Sequence, residues 1–347
     1  MTRKRIRTME EFAKAVGLSR PTVSKYFQDP SSVRVKVREK IDAGLAETGF
    51  RPNLFAVNLN RRRSKIIGLV FPSSLDPFYM GLRRRIEAEA TAAGYLPFVF
   101  SSDGRAELEA EAIETLTSLN VAGVIMAPVG GHSAHHDKVR ALARNIPIVF
   151  IDAPFDAEEA FVGTNNAQSM ALITDYLTRS GDRPGYFDMP AVNSNTVERR
   201  AAYIATMERR GLEPLLIPVE HSESWEFERY AFEQTNKVLA AGGFPSKTVL
   251  CGNDRVAFGV LAAANQAGLK VGIGPDSDLR VAGHDDQPLS EYIWPPLTTV
   301  SQNTTEMGRL AITLLLSKLD SSRVFDDPRM QGQHILLNAE LVLRGSA

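Results

Sequence analysis

The 347-residue chain has one cysteine, two tryptophans and no apolar run near the ~20 residues that a membrane span needs. A single cysteine excludes an internal disulfide, and Cys251, at the end of the strand-like KTVLC, reads as a small buried hydrophobe. Also missing are a glycine-rich nucleotide loop, a Gly-x-Ser-x-Gly elbow and a zinc motif, so neither an enzyme nor a cofactor is expected. His132, His135 and His136 sit in a Gly-rich loop without a carboxylate or Cys cluster, which reads as solvated surface and not as a metal site. Asn303 opens an Asn-Thr-Thr sequon, but the basic TRKRIRT near the start is followed by no apolar signal core. The sequon therefore carries no meaning, and the expected compartment is the cytoplasm.

The near-neutral total hides a division. Residues 1–65 hold 16 Lys or Arg against 6 Asp or Glu, and residues 66–347 hold 24 against 35. A basic module of that size joined to an acidic one suits phosphate binding by the first. Within it, TMEEFAKAVGLSRPTVSKYFQ at 8–28 reads as a helix-turn-helix. Thr8 with Glu11 fits a capping box, and Met9, Phe12, Ala13 and Val16 form one apolar stripe. Gly17 ends that helix, Ser19 caps a second, and Pro21 fits its first turn. With Val23 and Phe27 inward, Arg20, Pro21, Thr22, Ser24 and Lys25 face out. Arg20 and Lys25 suit base edges in a major groove, and Ser19, Thr22 and Ser24 suit phosphate oxygens, with Thr8 a further candidate DNA contact. The bland alternative is an amphipathic hairpin with solvated charges, which the charge segregation disfavours. A third helix is predicted over 35–48 from Val37, Ile41 and Leu45, with Gly49 and Phe50 as its stop. Residues 51–65, RPNLFAVNLNRRRSK, are too short and polar for an independent domain and are expected to order only on DNA and a partner copy; the alternative is a plain linker.

On these residues, and on Gly49, Phe50, Pro52, Asn53, Ala56, Leu59 and the Ile67-Gly68-Leu69 run, the chain resembles the lactose-repressor (LacI/GalR) family of bacterial transcription regulators over almost its whole length. The resemblance implies paired hinge helices in the minor groove, with Asn53 and Ala56 at the DNA and Leu59 wedged between base pairs. Val57, Arg34 and Val37 depart from the usual family residues, which moves some phosphate contacts, with Arg61, Arg62 and Arg63 as candidates.

Beyond residue 65, β-branched runs at 66–71, 95–100, 122–127, 146–152, 185–189, 215–219, 247–251 and 279–283 alternate with helical patterns. Such alternation predicts doubly wound parallel sheets, and eight units are too many for one. The expected organisation is a small all-α headpiece, 1–50; a hinge, 51–65; and a two-lobed α/β effector and dimerisation domain, 66–347. By resemblance the last is a type I periplasmic-binding-protein fold, its first lobe about 66–165 and 302–330 and its second about 166–294 and 331–347. Ligands of such sheets bind beyond the strands' carboxyl ends. Those tips carry Asp76, Phe78, Asp152, residues 193–200, residues 221–225, Asn253 with Asp254, and His284 with Asp285, a set suited to a polyol. The resemblance selects Phe78, Asp152, Arg200, Asn253, Asp285 and Gln302 as effector contacts, and Trp225 on a loop that aligns only with a gap. Helix capping or an interlobe ion pair is the competing role for each, and Asp254 is expected to support the fold.

The expected function is that of a ligand-responsive regulator, a repressor of carbohydrate-utilisation genes. It would bind a pseudo-palindromic operator as a homodimer under allosteric control by a sugar. A purine, a phosphosugar or a protein corepressor is the alternative effector. A sugar-transport protein or a sugar-metabolising enzyme would suit the large domain but not the basic headpiece. No leucine-heptad extension comes after HILLNAELVLRGSA, so a dimer is expected over a tetramer.

Overall fold

The computed structural model describes residues 6–53, 64–130, 133–179, 182–320 and 327–347. The predicted hinge contacts Ala56 and Leu59, with Val57 and Arg61 to Arg63, lie outside them. The chain divides into two compact units, residues 1–66 with 115–122, and residues 67–114 with 123–347.

In the first unit, helices α1 (Met9–Ala15), α2 (Arg20–Gln28) and α3 (Val35–Thr48) enclose a small core. Phe12, Val23 and Ile41 are fully buried in it, and the Phe12 ring stacks on Phe50 at 4.8 Å. The turns are made by the residues that the sequence marks for them: Gly17 at φ 59° and Gly49 at φ 63° take the left-handed conformation that ends a helix. Packing is tight enough at Gly44 that an added Cβ would lie 2.2 Å from Val16 Cγ1, with the Phe12 ring 3.5 Å away. Gly44→Ala is therefore expected to destabilise the headpiece by ~1–3 kcal/mol through overpacking. Circular-dichroism melts of the full chain check this, and an unchanged melt would contradict it.

The second unit has two sheets. The first runs β11-β5-β4-β3-β1-β2, from β1 (Ile66–Phe71), β2 (Leu96–Ser101), β3 (Gly123–Met126), β4 (Ile148–Ile151), β5 (Ala160–Thr164) and β11 (His334–Leu337). The second runs β7-β6-β8-β9, from β6 (Gly185–Phe187), β7 (Leu215–Leu216), β8 (Thr248–Cys251) and β9 (Arg280–Ala282), parallel throughout. A short antiparallel ribbon joins β10 (Thr299–Ser301) to β12 (Glu340–Val342). β1, β3, β4 and β5 are buried at every residue. Helices cover both faces, which is why β1, β3 and β4 read as continuous apolar runs. In the first lobe, Leu82 and Ile86 of α4 (Pro77–Ala92) and Leu310 and Leu315 of α11 (Thr304–Leu319) pack on Leu69, Ile125 and Val149. α5 (Ala106–Ser118) and α6 (Ser133–Ala143) complete the first lobe's helices. In the second lobe, α9 (Phe227–Ala240) and α10 (Asp254–Gln266) pack on one face, and α7 (Asn166–Arg179) and α8 (Ser194–Arg209) on the other.

Two expectations need correction. β11 pairs with β5 in the first sheet, so the return to the second lobe falls after Leu337 and not near residue 330. β10 is tied to the second lobe by the bridges Ala282 to Thr298 and Asp285 to Ser301, which carries that lobe to residue 301 and not only to 294. In both places a short strand was hidden by the absence of a long apolar run. His132 lies outside the described residues. His135 and His136 belong to α6 and not to a loop, and the His136 ring meets Phe155 edge-on at 4.8 Å. Among the described residues there is no cluster of three metal-ligating side chains, and no helix is long and apolar enough to cross a membrane.

Candidate functional site

The DNA-facing candidates fall in and around α2. Arg20, Pro21 and Lys25 are exposed on it, and Thr22 and Ser24 are half-buried. Arg20 and Lys25 form no ion pair among the described residues, so both cations are available to an anion. The hydroxyls of Thr8, Ser19 and Thr22 are already engaged. Ser19 Oγ caps α2 by accepting from Thr22 N at 3.3 Å and pairs with Thr22 Oγ1 at 2.8 Å. Thr8 Oγ1 accepts from Glu11 N at 3.1 Å, while Glu11 Oε2 accepts from Thr8 N at 3.2 Å. Either hydroxyl can add a phosphate contact only as a second bond, whereas the two cations keep full capacity. Asn53 is exposed after α3.

The ligand-facing candidates meet between the two lobes. Phe78, Asp152, Trp225, Asn253, Asp285 and Gln302 line one cavity of about 40 Å³. Each comes from a strand tip or a crossing segment, where a doubly wound sheet places its ligands. Asp152, just past β4, takes φ 70°, and Asp285, past β9, takes φ 127°, conformations that side chains other than glycine rarely adopt and that cluster where function demands them. Asp152 belongs to the first lobe but bonds to both. Its Oδ2 accepts from Tyr79 Oη at 2.8 Å and its Oδ1 from Asn195 Nδ2 of α8 at 3.0 Å. Asp76 caps α4 through Phe78 N at 3.0 Å and reaches across to Arg255 Nη1 at 3.1 Å and Gln287 Nε2 at 3.3 Å. Trp225 packs on Tyr79 of the first lobe and Phe227 of the second, with ring centroids 6.2 and 5.8 Å apart. An added Cβ on Gly104 would lie 1.9 Å from the indole.

Capping and bracing leave polar atoms over at these candidates. Asn253 Oδ1 accepts from Val256 N at 2.8 Å, which uses its oxygen and leaves its amide hydrogens. Gln302 donates to Asp285 Oδ1 at 2.6 Å and accepts from Thr164 Oγ1. Asp254 is a fold support: fully buried, it accepts from Gln287 N at 2.8 Å, Ser290 Oγ at 2.6 Å and Thr299 Oγ1 at 2.5 Å.

Arg200 is not at the cavity. Its side chain is 42% exposed and pairs with Asp188. The residue that lines the cavity is Arg199, 4% exposed, whose Nη1 lies 2.9 Å from Gly252 O and 3.1 Å from Asp285 Oδ1 and whose Nε donates to Asn166 Oδ1 at 3.2 Å. One residue is about 100° of helix rotation, enough to turn a side chain from the core to solvent. The buried face of α8 runs Thr196, Arg199, Tyr203, Met207, and that spacing was the available signal. Tyr79 and Asn195 were also missed as direct partners of Asp152; nothing local in the sequence pairs them.

Burial pushes Asp152 up to about 6, against hydrogen bonds from Tyr79 and Asn195 and the Arg199 charge, which lower it. The folded chain therefore holds a proton there that the unfolded chain has already lost. Between about pH 4 and pH 6 stability should fall as pH rises, by up to ~3 kcal/mol from this group. Asp152→Asn should lack that slope. Denaturant melts of both proteins at pH 4.5 and 7 measure it, and parallel pH profiles would contradict the assignment.

Comparison with known proteins bears on the family and the fold. The model for bacterial regulatory proteins of the lacI family matches residues 8–53, and that for a periplasmic binding protein-like domain matches residues 166–347. The chain is 29% identical over 342 residues to the ribose operon repressor of Escherichia coli K12, covering 98% of this chain and 99% of that one. It is 27% identical to the repressor CytR of the same strain, covering 98% and 96%. A solved Lac repressor dimer bound to operator and the anti-inducer ONPF superposes with a TM-score of 0.81 at 26% identity, over 99% of each chain. These relatives are transcription regulators and not enzymes. The chain belongs to the lacI family of bacterial regulatory proteins, with a helix-turn-helix headpiece and a periplasmic-binding-protein-like effector domain.

Proposed function

We propose that the protein is a cytoplasmic homodimeric repressor whose paired headpieces read a pseudo-palindromic operator and whose interlobe cleft takes a neutral sugar that controls DNA affinity. The observation that carries the effector half is the converging set of Asp152, Asp285, Arg199, Asn253 and Gln302 beside the Phe78 and Trp225 rings. Bidentate acceptors and donors suit vicinal hydroxyls, and an aromatic face suits the C–H side of a sugar ring. Arg199 is already bonded to a carboxylate and a carbonyl, which disfavours a phosphosugar. The cleft as it stands, about 40 Å³, is far below the ~300 Å³ of a small-molecule site. Admission of a ligand therefore requires the lobes to part or Trp225 to move, and either change alters lobe geometry, which is the basis for coupling to the headpiece.

D-Ribose is the first candidate, because a relative over nearly the full length is named for the ribose operon and a pentose asks least of a small cleft. A solved structure of a periplasmic binding protein/LacI regulator from Alkaliphilus metalliredigens with the same fold holds D-xylulofuranose. A homodimer is supported by exposed apolar side chains near the end of the second lobe, Leu289, Tyr292 at 77% and Trp294 at 85% exposure, which a monomer would leave in water. Thermal-shift screening of pentoses, hexoses, sugar phosphates and purines tests the effector class. A pentose should stabilise the protein, and stabilisation by a purine or a phosphosugar alone would contradict the reading. In the hinge, Leu59→Ala should weaken specific operator binding more than non-specific binding, as a lost intercalating wedge would; equal losses in gel-shift titrations would remove the wedge from the account.

A further inference from the structure

Around Asp285 a serine, a histidine and an aspartate lie in line. The His284 ring is fully buried, with Nε2 2.8 Å from Ser169 Oγ and Nδ1 3.0 Å from Asp285 Oδ1. The order is that of a hydrolytic triad, but Ser169 is also fully buried, on the first turn of α7, where no substrate carbonyl reaches its Oγ. What faces the cleft is the carboxylate end.

Hydrogen-bond accounting fixes the direction of the chain. If Ser169 gave its proton to Asn166 O, 3.2 Å away, Nε2 would have to be the donor, and a neutral ring would point the Nδ1 lone pair at a carboxylate oxygen. If Ser169 donates to Nε2, Nδ1–H donates to Asp285 and every atom in the line is paired. A charged ring is opposed by burial and by the neighbouring Arg199 guanidinium, which hold His284 down to about 4. Asp285 Oδ1 then accepts from His284 Nδ1 and from Gln302 Nε2 at 2.6 Å and forms an ion pair with Arg199 Nη1 at 3.1 Å, while Oδ2 has no hydrogen bond among the described residues. The residue is nine-tenths buried, lines the cavity and holds a backbone conformation unusual for a side chain other than glycine.

We infer that His284 is a positioning residue: held by Ser169, it donates from Nδ1 to Asp285 Oδ1 and so turns Oδ2 toward a ligand hydroxyl in the cleft. This rests on the proposed sugar-binding role of the cleft, and the test separates the two. Nitrogen-15 spectra of histidine-labelled full-length protein, with His284 assigned by its absence in His284→Asn, should show a neutral ring protonated on Nδ1 from about pH 5 to 8. In Asp285→Ala the proton should move to Nε2, because Ser169 is then the ring's only partner. A wild-type ring protonated on Nε2, or one that titrates in that range, overturns the inference. D-Ribose and any other sugar that stabilises the wild type supply the second arm. His284→Asn, whose amide reproduces the Nδ1 donor, should bind within about threefold of wild type, and His284→Leu roughly 10- to 100-fold more weakly, the effect of losing a hydrogen bond to a charged group. Wild-type affinity in His284→Leu overturns the positioning role. If no sugar binds the wild type, the sugar reading fails while the spectra still decide the hydrogen-bonded line.

Discussion

Replacing Arg199 by Leu is expected to lower the melting temperature by roughly 10 °C and to abolish the response to any sugar. The guanidinium is 4% exposed and serves three acceptors on three segments, Asn166 at the crossing into the second lobe, Gly252 at the tip of β8 and Asp285 at the tip of β9. Removing it leaves a buried carboxylate without its cation and a buried carbonyl and amide oxygen short of a donor. Breaking a buried pair from one side costs ~3–5 kcal/mol, most of it the stranded charge. Lysine should not rescue, because one ammonium cannot span acceptors that a planar fork reaches from two nitrogens. The neighbouring Arg200→Leu provides the contrast: Arg200 is 42% exposed and pairs with one carboxylate, Asp188, itself 15% exposed, so its loss should cost less than that of Arg199, which three buried acceptors share. Calorimetry on the two variants is decisive, and equal losses would return Arg200 to the site.

The second large effect is on DNA. Arg20→Ala combined with Lys25→Ala should weaken binding to the selected operator by roughly 10²- to 10³-fold, if each cation reads a base edge at ~1–3 kcal/mol. Non-specific binding should fall far less and should lose only part of its salt dependence, since only two of many phosphate-neutralising groups are gone. Both side chains are exposed and form no ion pair among the described residues, so no folding penalty accompanies the change. Titrations of operator and random DNA at two salt concentrations measure this. Equal losses on both would assign these residues to phosphates and leave base reading to others.

How much of this was legible before the structure depends on how local each signal is. The headpiece was readable almost residue by residue, because caps, stop glycines and apolar stripes act within a few positions: Thr8, Ser19, Gly17 and Gly49 each do what their chemistry dictates nearby. Most strands of both sheets were visible as apolar runs, since burial on both faces leaves no alternation. β5, β10, β11 and β12 were not, because AFVGT comes after β4 without an intervening helix and the last three are three or four residues long. In the cleft, position along the chain found the strand tips, but the phase of α8 decided between Arg199 and Arg200. Tyr79 and Asn195 are joined to Asp152 only by closure of one lobe on the other, which no local pattern encodes.

Control of DNA affinity by one small molecule in the cleft is the core of the proposed function. Its most direct test is fluorescence anisotropy of labelled operator, titrated with wild-type protein at fixed salt with and without saturating D-ribose or another sugar that stabilises the protein. The sugar should change operator Kd by at least ~5-fold, the lower end of allosteric couplings, with no such change in Arg199→Leu. A sugar that binds and stabilises the protein yet leaves operator Kd unchanged would contradict it.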